Sequence, residues 1–105
     1  MDTTFATALQ TFVNAAQTMI DKYMAETFPN LDVEKLTVEP GRRYVRIVKS
    51  SGPHSRYVYC FVDVTNGDIL KAASWKAPAK HARGNIFNLT KVTDSVSPYG
   101  ANYMR

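Results

Sequence analysis

A chain of 105 residues suffices for one small domain and is too short for two. Hydrophobic residues at 45% and charged ones at 21% exclude a disordered chain, and no apolar run reaches the length of a membrane span. A single cysteine excludes an intramolecular disulfide, and a formal net charge of +4 points to anionic partners.

Residues 3–28 predict one long helix. Asp2 or Thr3 can cap its first amides. Phe5, Leu9, Phe12, Ala16, Met19 and Tyr23 fall on one stripe, spaced by three and four, and Val13, Ile20, Met24 and Phe28 widen it. Gln10, Asn14, Gln17, Asp21 and Lys22 fill the other side. Pro29 stops the helix, because the residue before a proline is pushed out of helical geometry. The stripe is longer than a small sheet needs. Core packing accounts for it, and one edge can also face a second copy of the chain.

After a polar connector over 30–34, strands follow. Residues 35–39 alternate, and Pro40-Gly41 is a turn signal. Residues 42–49 put Arg43, Val45 and Ile47 on one side and Tyr44, Arg46 and Val48 on the other. A loop covers 50–53. The strongest strand, 56–64, places Val58, Cys60, Val62 and Val64 on one face and Tyr57, Tyr59 and Phe61 on the other. Asn66-Gly67 is a tight hairpin signal, and 69–73 returns as a fourth strand. The expectation is a single α+β domain over 1–105. A long N-terminal helix packs on a four-stranded antiparallel meander, and an irregular basic C-terminal third follows. The aliphatic sheet face takes the helix. The aromatic face needs a cover from the C-terminal third or another subunit. Cys60, inside an apolar strand, reads as a buried inert thiol.

No acid occurs from Ile69 to Thr93, whereas Lys71, Lys76, Lys80, Arg83 and Lys91 do, so the positive excess is local. The centre of this stretch, residues 75–87, holds the only tryptophan, and Pro78 and Gly84 break it. Phosphate suits the cations and a base stacks on an indole. Trp75 competes with a core-filler reading; flanking Lys71, Lys76 and Lys80 favour the edge of a cleft. Lys80, His81 and Arg83 read equally as a solvated run. Arg83 can fork a phosphate, Gly84 lets backbone come close, and Asn85 offers a donor and an acceptor to a base edge. Tyr44, Arg43 and Arg46 can extend the site, and Tyr99 closes over a ligand or anchors the tail.

Nothing points to catalysis: there is no nucleophile elbow, no acid near His54 or His81, no phosphate-binding loop and no dinucleotide fingerprint. One Cys and two distant His have no metal-binding spacing. No cofactor is expected. The N-terminus carries no secretion signal, so a cytosolic protein is expected. Residues 88–96 suit a short helix or an irregular segment, and Ser97-Pro98-Tyr99-Gly100 is a turn.

The pattern Trp75-Lys76-Ala77-Pro78-Ala79-Lys80, then Arg83-Gly84-Asn85-Ile86-Phe87, then Pro98-Tyr99-Gly100 with Tyr103 and Arg105, resembles a widespread group of small tailed-bacteriophage proteins. The match covers the last third and the preceding Asn66-Gly67-Asp68 hairpin. The group is similar to the phage sponges of the anti-CBASS kind, which sequester cyclic-nucleotide signals of bacterial defence. The resemblance implies a homo-oligomer, dimer or tetramer, in the host cytoplasm. It would bind an intact cyclic mono- or dinucleotide without hydrolysing it, with Trp75 stacked on a base and nearby cations on phosphate. The alternative is a phage single-stranded nucleic-acid binding protein, with a continuous basic track and steep salt dependence. A third reading is a virion-assembly adaptor that grips an acidic partner.

Overall fold

The computed structural model of the protein describes residues 3–31, 34–52 and 55–102. Asp2, His54, Tyr103 and Arg105 lie outside the described residues. Helix α1, Thr3–Thr27, buries Phe5, Leu9, Phe12, Val13, Ala16, Ile20 and Met24 on one side. It ends where Pro29 cannot continue the ladder, and the Phe28 amide donates back to the Met24 carbonyl. Five strands form one antiparallel meander in chain order. They are β1 (Lys35–Glu39), β2 (Tyr44–Ser50), β3 (Arg56–Asp63), β4 (Asp68–Leu70) and β5 (Gly84–Asn85). A short 3-10 turn at Val92–Asp94 and a hairpin of β6 (Val96–Ser97) and β7 (Gly100–Ala101) follow among the described residues.

The α+β fold expected from the sequence is the fold observed, with one strand more. Asn85 pairs with Asp68 and Gly84 with Ile69, so the basic stretch itself adds β5 to the sheet edge. Gly84 is required there, because a Cβ would stand 1.8 Å from the Ser95 hydroxyl oxygen. The close approach is to the chain's own C-terminal segment.

The strongest strand is interrupted by a bulge. Ile47 pairs with Cys60 but Val48 pairs with Val58, which leaves Tyr59 without a partner on β2. Cross-strand partners share a face, so this one residue reassigns the aromatic side chains. Val38, Ile47 and Cys60 form one row of the helix-side face, and Leu36, Lys49 and Tyr57 form the next. Glu39, Arg46, Phe61 and Leu70 form a row of the opposite face, with Thr37, Val48 and Val58 beside it. The straight alternation expected for 56–64 is therefore corrected. Tyr57 belongs with Cys60, Val58 belongs with Phe61, and Tyr59 enters the helix-side core.

That core contains the buried helix stripe together with Val45, Ile47, Tyr59, Cys60, Val62, Ile69, Ile86, Val96 and Ala101. Full burial of such side chains stabilises by about 1.5–3 kcal/mol each, so the helix stripe is held by its own sheet. Tyr59 donates its hydroxyl to the Ser97 carbonyl at 2.5 Å, and burial pushes its ionisation far upward. Gln17 ties helix to sheet edge: its amide donates to the Glu34 carbonyl and accepts the Leu36 N–H, both at 2.8 Å.

Lys49 is buried to 1% exposure on the same face. Its ammonium donates to the Pro98 carbonyl at 2.5 Å and meets the Glu34 carboxylate at 3.4 Å. The rings of Tyr57, Tyr59 and Tyr99 surround it at 5.0–5.9 Å. Burial lowers its pKa, against the pull of Glu34. These contacts pin the β6–β7 hairpin to the sheet.

Candidate functional site

The segment after β4 folds into a tight paired loop. Ala72 bridges Pro78, and the Ala79 amide donates to the Lys71 carbonyl at 2.7 Å. The amides of Ala73 and Ser74 both reach the Ala77 carbonyl, and the Ser74 hydroxyl accepts the Ala77 N–H. Pro78 fits this bridge because the position demands no donor from it. Trp75 and Lys76 occupy the tip. The loop covers part of the sheet face opposite the helix, beside Arg46, Arg56 and Val58.

Trp75 is 40% exposed. It lies against two guanidinium groups, Arg46 at 4.8 Å and Arg56 at 5.7 Å from the ring centre. Arg46 also donates its Nε to the Trp75 carbonyl at 3.0 Å, fixing the loop tip to β2. One carboxylate holds both arginines: Glu39 Oε1 accepts from Arg46 at 2.9 Å and Oε2 from Arg56 at 2.6 Å. Hydrogen bonds from Arg46 and then Arg56 hold the Glu39 carboxyl below its usual range. The indole is thus part-exposed and in contact with two cations. The core-filler reading of Trp75 is excluded by its exposure and by the polar groups it rests on.

Two clefts adjoin the indole. One, of about 280 Å³, is lined by Trp75, Arg56, Tyr57, Val58 and residues 72–74. The other, of about 230 Å³, carries Arg42, Arg43, Arg46 and Lys76 against Glu39, with Tyr44 and Phe61 as aromatic walls. Arg43 is partly engaged by Asp63 at 3.5 Å. Arg42 and Lys76 carry no ion pair among the described residues. This cleft therefore has net positive charge and donors to spare, as an anion site requires. Tyr44 packs edge-on against Phe61 at 6.2 Å, with Arg43 over its ring.

Of the residues expected from the sequence, Trp75, Lys76, Arg46 and Tyr44 come together here. Lys71 is half-buried at the start of the loop, and Lys80 is exposed beyond it. Arg83 is committed elsewhere. Its Nε donates to the Asn102 carbonyl at 2.9 Å, and its Nη1 to the carbonyls of Lys80 and His81. It staples a turn in which His81 holds a left-handed φ of 71°. Asn85 spends its amide on the Asn66 carbonyl and Asp68, and its oxygen accepts the Phe87 N–H. Tyr99 stands over Tyr23, hydroxyl to hydroxyl, and lines a separate cleft with Met24, Phe28, Leu31, Glu34 and Ser51.

Sequence reasoning missed Glu39, Arg42 and Arg56. The signal was there in the strand pairing, since Glu39 faces Arg46 and Arg46 faces Phe61 across β1, β2 and β3. Tyr57 lines the first cleft, but its ring packs against Lys49 and its hydroxyl donates to Glu34 on the helix side. Burial and the nearby Glu34 push its hydroxyl up to about 12. Cys60 is buried and its thiol is pushed up by that burial. Among the described residues no His, Cys, Asp and Glu cluster could hold a metal, and no helix is long and apolar enough to cross a membrane.

A family model described as a family of unknown function, DUF7717, matches residues 3–97, and the chain belongs to that family. No curated protein and no solved structure matches it.

Proposed function

We propose that this DUF7717 chain binds a nucleotide on the Trp75 plate and retains it without chemistry. The observation that supports this is one arrangement: a half-exposed indole held on two arginines, beside a cleft with unpaired cations Arg42 and Lys76. A base stacks on the indole and a phosphoryl group enters the cationic cleft. On this reading the compound is released as it arrived.

With the resemblance to phage sponges, the reading becomes sequestration of a cyclic-nucleotide defence signal in the host cytoplasm. Base stacking supplies about 1–3 kcal/mol. Nanomolar retention needs about −12 kcal/mol, which an open plate does not reach alone. A second protomer closing over Trp75 would provide the rest, so the reading includes a homo-oligomer, dimer or tetramer. A thermal-shift panel of cyclic mono- and dinucleotides and short oligonucleotides tests it. A cyclic nucleotide at a hundred times its Kd adds about 2.7 kcal/mol. No shift with any cyclic nucleotide removes the reading.

A second reading has its own support. The clefts are open, and Arg42, Arg43, Lys76 and Arg56 are spread along them. A single strand could follow that path, with one base on Trp75. Oligonucleotides shifting the melting temperature where cyclic nucleotides do not, with affinity falling steeply in salt, would favour this reading.

A further inference from the structure

Glu39 sits where a ligand's charge should go. Its two oxygens engage two different arginines, at 2.9 and 2.6 Å, which is the bridging pattern a phosphoryl group offers. Both guanidinium groups lie within 5.7 Å of the indole centre, so a base stacked on Trp75 brings its phosphate to the same donors. The three side chains of this network stay 27–47% exposed, and the carboxylate is accessible to exchange. Glu39 is the last residue of β1 and precedes Pro40-Gly41, so its side chain can turn aside without breaking the sheet.

Two anions cannot share this site without direct repulsion. Either Glu39 leaves, or it excludes phosphate from the best donors. We propose that Glu39 is an internal stand-in for the ligand's phosphoryl group: it holds Arg46 and Arg56 in place in the empty protein and is displaced when the nucleotide binds. This inference rests on the nucleotide reading of the Trp75 site. It assigns Glu39 the role of a specificity device. Only an anion that outcompetes a tethered carboxylate takes both arginines, which favours phosphoryl groups over the weak carboxylate anions of the cell.

The test is calorimetric titration of the wild type, Glu39→Gln and Glu39→Asp with inorganic pyrophosphate and with 3′,5′-cyclic AMP. Gln keeps the size and removes the charge. Asp keeps the charge and is one methylene too short to bridge both arginines. Both variants should bind the probes more tightly than wild type, Glu39→Gln by tenfold or more. The gain should vanish when Arg46→Ala or Arg56→Ala is added. A thermal melt of each variant confirms its fold. Equal or weaker binding by folded Glu39→Gln, with measurable binding by wild type, overturns the stand-in and leaves the nucleotide reading standing. No binding of either probe by any of the proteins overturns the stand-in, and the nucleotide reading is then decided by the thermal-shift panel of cyclic mono- and dinucleotides.

Discussion

Replacing Arg83 by Ala should damage the fold and spare the ligand. The guanidinium serves three backbone carbonyls, and two of them, on Lys80 and His81, are exposed enough for water to take over. The bond that counts is Nε to the Asn102 carbonyl at 2.9 Å, which is partly buried and joins the basic loop to the C-terminal segment. A hydrogen bond from a charged donor contributes about 1.5–3 kcal/mol, and partial exposure places this one near the low end. Loss of about one buried methylene of the stem adds about 0.8 kcal/mol. The expected loss is therefore about 2 kcal/mol, or about 10 °C in Tm for a domain of this size. Urea and thermal denaturation followed by circular dichroism measure it, with nucleotide titration alongside. Arg46→Ala should do the reverse, weakening the ligand more than the fold. An unchanged Tm for Arg83→Ala with a tenfold loss of nucleotide affinity would refute the reasoning and return Arg83 to the binding site.

Tyr59→Phe leaves the Ser97 carbonyl without its donor in the core, and urea denaturation should show a loss of about 1–3 kcal/mol. The native Cys60 thiol should resist a thiol reagent at pH 8 and react on unfolding, since it is buried and its ionisation is pushed up; rapid native labelling would contradict the packing. Acid stability has a definite sign. Hydrogen bonds from Arg46 and Arg56 lower the Glu39 pKa below its ordinary 4.5. For Asp63, burial pulls upward, but hydrogen bonds from Thr65 and then Arg43 outweigh it and bring the pKa below 3.8. Both contributions are fully present above those ordinary values and are lost as pH falls through the lowered ones. Stability measured by urea between pH 6 and pH 3 should fall at the acid end, less steeply in Glu39→Gln; a flat wild-type profile would contradict both networks.

Much of the fold was legible because it follows from side-chain period. The helix stripe and the alternation of β1 name their own burial, whereas β2 buries Ile47, Val48 and Lys49 in succession, and Asn66-Gly67 marks the hairpin that Gly67 turns with φ 82°. The bulge at Tyr59 was not legible. A one-residue slip leaves the alternation of apolar types intact, and only the pairing with β2 shows it. Strand β5 escaped for another reason: Gly84 and Asn85 have low strand propensity, and the sheet edge recruits them. In the site, Trp75 was found because a lone tryptophan among lysines is conspicuous. Its real supports, Arg46, Arg56 and Glu39, are distant in sequence and meet only across three strands. Arg83 and Asn85 looked like ligand groups because the donors that grip phosphate also grip backbone carbonyls.

The most direct measurement uses the tryptophan itself, which is the only one in the chain. Its emission, followed while a cyclic nucleotide is titrated in, should change saturably with a defined stoichiometry. The midpoint should match the calorimetric Kd and shift weaker in Arg42→Ala and Lys76→Ala. Tight binding of the nucleotide with no change in indole emission would place the ligand elsewhere and contradict the account.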